Sequence, residues 1–157
     1  MNDVLVCDLL STELDQLSCI ESGVSTDADL DVLRRASGGD MAVFGLFHNG
    51  VLVGKGGADF VTTPDVARIW MVKIDEAFRS QGLGTVLMRM LELVSVERGF
   101  TEAELLVELV NARAKAWYER LGYEIVGEET DVVYERDSSG VSQRREVMCY
   151  LMRRAIS

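Results

Sequence analysis

Two glycines separated by one residue stand at the start of a predicted long helix, in the segment Arg79-Ser80-Gln81-Gly82-Leu83-Gly84-Thr85. Glycine lets the backbone approach a ligand closely, and the first turn of a helix offers N–H donors that lack partners within the helix. Several such donors aimed at one point form a cradle for a diphosphate, with Arg79 as a cation at its edge. The spacing alone is equally compatible with an ordinary helix start at a glycine.

Two familiar phosphate-binding patterns do not fit this segment. A Walker loop requires a lysine followed by serine or threonine after the glycines, and neither pair is present. A dinucleotide fingerprint needs a third small residue after Gly84, at the position where Leu87 stands. The sequence therefore favours a diphosphate ligand other than a nicotinamide cofactor.

A second segment, residues 111–123, reads NARAKAWYERLGY and follows the next predicted strand. Together the two segments resemble the motifs of the GCN5-related N-acetyltransferase (GNAT) family, which are [R/Q]xxGx[G/A] opening a long helix and NxxAxxxYExxGF downstream. The order of predicted elements also follows the family, so the resemblance covers nearly all 157 residues. The matching positions are Arg79, Gly82, Gly84, Asn111, Ala114, Tyr118, Glu119, Gly122 and Tyr123.

The resemblance implies an acetyl-CoA-dependent N-acetyltransferase that moves an acetyl group to a primary amine by direct attack. It implies one α/β domain over residues 1–157, with a mixed, mostly antiparallel sheet of six to seven strands flanked by four helices. The pyrophosphate would bind backbone N–H groups of Gln81, Gly82, Leu83, Gly84 and Thr85. The pantetheine arm would pair with the main chain at a strand bulge, where an N–H would also stabilise the oxyanion, through Val72, Lys73 and Ile74.

Tyr118 aligns with the family's general-acid tyrosine. A phenol with a reference pKa of about 10 stays protonated at neutral pH and can donate to a thiolate, whose parent thiol titrates near 8.5. The alternative is a tyrosine packed in the core, as we expect for Trp117. Asn111 aligns with an asparagine that reaches the pantetheine, although Asn before a helix is also a favoured N-cap. Arg113 and Lys115 either meet the adenosine phosphates or form a solvated helix face.

The general base is the least determined role. The strand before the phosphate loop carries no carboxylate, so Glu108 and Asp59 on other strands are the candidates, or a chain of water molecules. A surface charge is the alternative explanation for each carboxylate, and the sequence favours it. His48 has a suitable reference pKa, but it sits in a predicted hairpin turn that we expect to be remote from the thioester.

The positioning elements follow from hydrophobic patterning and turn signals. The Asn49-Gly50 pair predicts a tight hairpin, and Gly122 predicts a helix end. Predicted helices cover 12–21, 26–36, 82–98 and 112–121. Predicted strands cover 4–10, 41–47, 51–61, 66–74, 102–109, 123–135 and 142–152.

Acidic residues outnumber basic ones, with 26 Asp and Glu against 16 Lys and Arg and a net charge of −10. Phosphate contacts need clustered cations, so nucleic acid and membrane surfaces are disfavoured as partners. No stretch approaches the roughly 20 apolar residues of a membrane helix, and no secretory signal is evident. Three cysteines without a CxxC pair and a single histidine predict a cytoplasmic protein without a metal site.

The negative charge is concentrated in the N-terminal region. Residues 1–40 hold nine carboxylates and two cations, whereas residues 41–157 hold 17 carboxylates and 14 cations. Asp27, Asp29 and Asp31 cluster where the family's acceptor is expected, which favours a small cationic acceptor such as an aminoglycoside antibiotic or a polyamine.

Other acceptors and roles stay open. A solvated acidic helix face explains the N-terminal aspartates equally well. Protein N-termini, lysines and small metabolites are alternative acceptors, and a non-catalytic acetyl-CoA-binding module is an alternative role. The apolar segment 147–152 permits a homodimer through the C-terminal strands.

Overall fold

The computed structural model describes residues 4–8 and 39–157. Its strands form one seven-stranded sheet in the order β1-β2-β3-β4-β5-β7-β6, and every adjacent pair is antiparallel except β4–β5. The strands are β1 Val4–Asp8, β2 Met41–His48, β3 Val51–Asp59, β4 Ala67–Ile74, β5 Glu102–Glu108, β6 Glu124–Arg136 and β7 Ser142–Ala155. The helices are α1 Leu83–Glu97 and α2 Ala112–Arg120, with a 3-10 turn at Glu76–Phe78.

The sheet confirms the predicted mixed, mostly antiparallel α/β architecture. The two predicted helices over 12–21 and 26–36 lie outside the described residues. The hairpin prediction is met, since Asn49 and Gly50 have φ of 50° and 81° between the paired residues His48 and Val51. Both central residues of a type I′ turn need positive φ, which Asn and Gly tolerate best.

Two strand ends in the described residues differ from the sequence prediction by more than one residue. The strand predicted over 51–61 ends at Asp59, because the Asp59 carboxylate accepts hydrogen bonds from the N–H groups of Val61 and Thr62 and so stabilises a turn. The strand predicted to end at residue 152 continues to Ala155, since pairing with β5 holds Ala155 opposite Glu102.

Helix α1 packs on one face of the sheet, where its apolar stripe of Leu87, Met88 and Leu91 is fully buried. Glycine makes the close approach possible, because a Cβ on Gly56 would lie 2.9 Å from Leu91 Cδ1. Neither helix in the described part of the chain has the length and apolarity needed to cross a bilayer.

Strand β7 is internal to the sheet. It pairs with β5 over residues 149–155 and with β6 over residues 142–153. The segment 147–152 that permits dimerisation by its apolarity therefore lies between two strands, and Val147, Cys149 and Met152 are buried. The outer edge of this half of the sheet is β6.

Candidate active site

Strands β4 and β5 separate soon after they meet. Their parallel pairing consists of Ala67 with Ala103 and Arg68 with Glu104, although both strands continue for several residues. On the other side, the register of β4 with β3 shifts around Met71, whose φ of 45° lies in the left-handed region. Such a conformation strains a residue with a side chain, and it marks a bulge at the point where the strands diverge. Main-chain groups of β4 are thereby left facing the gap.

The segment after β4 turns sharply into α1. Ser80 has φ of 64° and Gly82, the N-cap of α1, has φ of 79°. The helix has no side-chain cap and no acidic residue in its first turn, so nothing competes there for the N–H groups or the positive end of the helix dipole. The Arg79 Nε donates to the Ile74 carbonyl at 2.9 Å and ties this loop to the end of β4.

One cavity of about 330 Å³ joins the gap in the sheet to the start of α1. Nine of the predicted site residues line it: Val72, Lys73, Ile74, Arg79, Gly82, Gly84, Thr85, Asn111 and Tyr118. Ser80, Arg113, Ala114, Trp117 and Arg120 complete the lining. Among these residues are four cations and no carboxylate, in a chain whose net charge is −10. The cavity is therefore suited to a polyanion, and a diphosphate fits its donors.

Tyr118 reaches the cavity from α2 and is 9% exposed. Burial raises its pKa from 10.0 to about 12, so the phenol keeps its proton at neutral pH. Within the described residues the hydroxyl makes no hydrogen bond, and the ring is held by Trp117 and Tyr123 at centroid distances of 4.8 and 6.0 Å. A phenol placed in this way can donate a proton to a group inside the cavity.

Asn111 combines the two arrangements that the sequence left open. Its side-chain oxygen accepts from the Ala114 N–H at 3.1 Å as a helix N-cap, and the residue also lines the cavity. Because the oxygen is engaged, the amide NH₂ is the group that Asn111 can offer to a ligand. Arg113 lines the cavity as well, whereas Lys115 pairs with Glu119 at 2.9 Å.

Trp117 and Arg120 line the cavity without having been predicted there from the sequence. Trp117 packs partly buried against the core, as the sequence predicts, and it also packs against Gly84, where an added Cβ would lie 2.8 Å from its Cζ2. The signal was present, because residues 113, 117 and 120 follow the i, i+4, i+7 spacing of one helix face. This spacing predicts that Arg120 lies on the same face of α2 as Arg113 and Trp117.

Two predicted cofactor-binding residues do not line the cavity. The Leu83 side chain is 7% exposed and packs with Leu46 and Val53 in a small apolar cluster. Gln81 is exposed, and its side-chain amide donates to the Ala77 carbonyl at 3.5 Å. The interactions predicted for both residues involve their main-chain N–H groups. The positions of the two side chains do not test those interactions, which stay predictions.

Glu108 also lies apart from the cavity. Leu105 and Val107 pack in the core with the helices. Because successive side chains of a strand point to opposite faces of the sheet, Glu108 projects from the other face of β5. There it contacts Arg145 at 3.8 Å. Burial, followed by the carboxylates of Asp131, Glu108 and Glu129, raises the pKa of the neighbouring Cys149 thiol to about 11. This face of the sheet carries carboxylates paired with arginines, namely Glu129 with Arg68 and Glu108 with Arg145, whereas the cavity lining has cations and no carboxylate.

The remaining candidates are distributed as follows. Asp59 serves the turn after β3, where Thr62 Oγ1 also donates to its carboxylate at 2.6 Å. His48 packs on Phe78 at 5.1 Å, next to the phosphate loop, and is closer to that loop than its hairpin position suggests. The predicted acceptor wall of Asp27, Asp29 and Asp31 lies outside the described residues. No group of three His, Cys, Asp or Glu side chains among the described residues could hold a metal ion.

Comparisons with known proteins agree with this geometry. A model of the acetyltransferase (GNAT) family matches residues 10–123. The ribosomal-protein-S18-alanine N-acetyltransferase of Escherichia coli is 25% identical, with a TM-score of 0.73 over 100% of this chain and 95% of its own. An N-acetyltransferase of Staphylococcus aureus Mu50 gives a TM-score of 0.77 at 13% identity, over 99% of both chains.

A third similar structure is the PaiA N-acetyltransferase of Thermoplasma acidophilum in complex with coenzyme A. Its TM-score is 0.68 at 13% identity, over 98% of this chain and 99% of that one. Comparison with curated proteins gives no match. The family model spans most of the chain, and the bulged strand, the glycine loop and the second motif surround one cavity. The chain belongs to the acetyltransferase (GNAT) family and is an acyltransferase.

Proposed function

We propose that the protein transfers the acetyl group of acetyl-CoA to a primary amine by direct attack, through a tetrahedral intermediate. The observation that carries this proposal is the single cavity shared by the splayed end of β4, the first turn of α1 and Tyr118. Its four cations and lack of carboxylates suit the phosphates of the acetyl donor, whereas a non-catalytic module has no need for the Tyr118 hydroxyl.

The chain's own groups would hold acetyl-CoA mainly through the main chain. The N–H groups of residues 81–85 bind the pyrophosphate at the positive end of the α1 dipole, with Arg79 beside them. The exposed edge of β4 at Val72, Lys73 and Ile74 pairs with the pantetheine arm, and the Asn111 NH₂ donates to it. An N–H at the Met71 bulge faces the thioester carbonyl and stabilises the oxyanion that develops there.

The proton balance of the transfer assigns one residue to each side of the sheet. The amine attacks the thioester carbon, the C–S bond breaks, and Tyr118 donates its proton to the leaving thiolate. Glu108 is the proposed base, taking a proton from the amine directly or through water. In this proposal Val72 on β4 and Glu108 on β5 flank the gap that opens beyond the paired residues Arg68 and Glu104.

The first candidate acceptor is a small cationic amine, such as an aminoglycoside or a polyamine. The nine carboxylates of residues 1–40 support it, against two cations in the same region. Glu108, Glu129 and Asp131 add carboxylates around Cys149, although Arg145 contacts the first and Arg68 the second. Opposite charges would then attract the two substrates to opposite faces of the sheet. The predicted contacts of Asp27, Asp29 and Asp31 belong to this proposal.

The second candidate acceptor is the N-terminal amine of an extended polypeptide, and the length of β7 favours it. Strand β5 leaves the sheet after Glu108, whereas in the described part of the chain β7 continues over 142–147 paired with β6 alone. A peptide added to this edge in the direction of β5 would have its N-terminus beside Glu108. The similar Escherichia coli enzyme is an N-acetyltransferase for an alanine of a ribosomal protein.

A thiol-release assay with acetyl-CoA and a panel of amines tests the function. The panel contains aminoglycosides, polyamines, free amino acids, lysine peptides and peptides with free and blocked N-termini. Turnover that weakens with salt for multiply charged small amines supports the first acceptor, because screening reduces long-range attraction. Turnover that requires a free peptide N-terminus supports the second. Absence of thiol release with every amine, in a preparation that binds acetyl-CoA, overturns the enzymatic proposal for these classes.

Three broader expectations stay predictions. We propose that residues 1–157 form one domain, that the protein is cytoplasmic, and that it pairs as a homodimer. Because segment 147–152 lies inside the sheet, the edge strand β6 is the surface on which such a pairing would rely. Sedimentation of the purified protein would measure the oligomeric state.

A further inference from the structure

We propose that Glu92 and Tyr123 are positioning residues for Tyr118. Glu92 lies on α1, away from the cavity lining, and acts through the Tyr123 hydroxyl on the ring that carries the acidic proton. This inference rests on the proposed function, in which Tyr118 protonates the leaving thiolate.

Glu92 is a buried carboxylate with a full set of donors. It is 6% exposed, and the Tyr123 hydroxyl donates to its Oε1 at 3.1 Å. Nη1 of Arg154, on β7, donates to its Oε2 at 2.7 Å, and Nη1 of Arg89, one turn earlier on α1, donates at 2.8 Å. A buried anion is tolerated when it is paired in this way, and it fixes the groups that satisfy it. Glu92 therefore joins α1, β7 and the segment after α2 at one point.

Tyr123 is the link from this point to Tyr118. It is 1% exposed, and its backbone N–H donates to the Tyr118 carbonyl at 3.0 Å. Its ring meets the Tyr118 ring edge-on, with centroids 6.0 Å apart and planes at 73°. Because the Tyr118 hydroxyl has no hydrogen bond within the described residues, ring contacts with Tyr123 and Trp117 set its direction. Whatever fixes the Tyr123 ring therefore fixes the proton donor.

The arrangement uses a hydroxyl that the family motif lacks. The motif ends in Gly-Phe, whereas this chain has Gly122-Tyr123. Gly122 has φ of 101°, and a Cβ there would lie 3.1 Å from Arg154 Nε, so glycine also leaves room for Arg154 to reach Glu92. The phenylalanine of the motif would fill the same space without a donor for Glu92. The device is thus a property of this chain's own residues.

The charges around Tyr118 define what a loosened ring would meet. Tyr123 packs on one side of it, and burial together with the Glu92 carboxylate raises the pKa of Tyr123. The cavity on the other side is lined by Lys73, Arg79, Arg113 and Arg120. A Tyr118 ring that is no longer held would gain access to water and to these cations, both of which favour the phenolate. Its ionisation would then move to lower pH.

Tyr123→Phe is the main test, because it removes one hydroxyl and keeps the ring. We expect kcat to fall about tenfold with KM for acetyl-CoA nearly unchanged, since misplacement of a reacting group costs turnover and not donor binding. The alkaline limb of the kcat profile should move to lower pH. Glu92→Gln should act in the same direction. Glu97→Gln, at the exposed end of the same helix, is the matched control and should leave kcat unchanged.

A double-mutant cycle separates positioning from general support of the fold. In a Tyr118→Phe background, Tyr123→Phe should cause no further loss of kcat, because there is no proton left to position. Equal losses in both backgrounds would overturn the proposal, and so would unchanged kcat and pH profile in a folded Tyr123→Phe protein. If Tyr118→Phe alone keeps full turnover, the acid role itself is wrong and the failure belongs to the proposed function. Tyr123→Phe decides the question if Glu92→Gln does not fold.

Discussion

Two regions of the molecule form their surfaces in opposite ways. One is the cavity between β4 and α1, and the other is the β6–β7 ribbon, defined as residues 128–148. The cavity is shaped by backbone features, namely the Met71 bulge and the positive φ angles of Ser80 and Gly82, and its charged side chains are all cations. The ribbon is two paired strands whose exposed side chains include Tyr134, at 70% exposure.

The difference between these regions explains which half of the function is recognisable. Backbone geometry demands glycine and a few capping residues at fixed spacing, so it leaves a motif in the sequence. A surface that reads a substrate through exposed side chains has no such constraint, and its residues can vary with the acceptor. The sequence motif therefore indicates the acetyl donor, whereas experiments with a panel of amines identify the acetyl acceptor.

The largest effect that would test this division is expected at Tyr118. Tyr118→Phe should lower kcat by about 100- to 1,000-fold, the contribution typical of a positioned acid, while acetyl-CoA binds as before. Phenylalanine keeps the ring contacts with Trp117 and Tyr123, so the loss reports the proton. Steady-state kinetics and calorimetric titration with acetyl-CoA measure the two quantities. Turnover within a few-fold of the unaltered protein would contradict the acid role.

On the face of the sheet opposite the cavity, Glu108→Gln should lower kcat/KM for the amine by about 100-fold if Glu108 is the base. Acetyl-CoA affinity should not change, because Glu108 lies outside the cavity lining. Glu146→Gln provides a control on β7, where the carboxylate is 61% exposed and pairs with Arg144. Equal kcat/KM in both variants would assign the base role to another group.

The burial of Tyr118 predicts how the stability of the protein depends on pH at alkaline values. The folded protein holds the Tyr118 proton up to about pH 12, whereas the unfolded chain releases it near 10.0. The folded state therefore binds more protons than the unfolded chain between these pH values. The contribution of Tyr118 to the free energy of unfolding is fully present below pH 10 and is lost as pH rises toward 12. The loss should be about 2 to 3 kcal/mol in the free energy of unfolding.

Urea denaturation at several alkaline pH values measures this slope. Tyr118→Phe should reduce it, and Tyr134→Phe should leave it as it is in the unaltered protein. A slope that Tyr118→Phe does not change would show that other groups carry the alkaline loss of stability.

Two glycines offer a matched comparison between the regions. Gly82 and Gly140 have φ of 79° and 83°, and a Cβ on either would meet nothing within 4 Å. Alanine at each should cost a similar 1 to 2 kcal/mol or so in stability, because both positions are left-handed. Gly82→Ala alone should weaken acetyl-CoA binding, by about tenfold for one disturbed charge-assisted hydrogen bond. Equal effects of both variants on acetyl-CoA affinity would contradict a backbone cradle at Gly82.

Much of the fold could be predicted because its signals are local. Asn49-Gly50 predicts the first hairpin, and the helical spacing of Leu83, Leu87 and Leu91 predicts which face of α1 is buried. The strand ends at residues 59 and 155 were not predicted, since they depend on an Asp59 turn and on pairing with a distant strand. The site followed the same division. The glycine segment could be recognised from its spacing. The position of Trp117 in the cavity lining could not, because an apolar side chain that packs on the core and one that lines a cavity give the same sequence pattern.

The sequence by itself determined the family, the glycine segment at the start of α1 and the identity of the tyrosine placed in the cavity, because each rests on residues close together in the chain. Tertiary structure alone decided that four cations from different elements share one cavity and that Glu108 faces away from it. It also decided that the Tyr123 hydroxyl meets Glu92 31 positions earlier in the chain. The physical reason is that charge, burial and hydrogen bonding act over a few ångströms of space, and the folded sheet sets which distant residues come within that range.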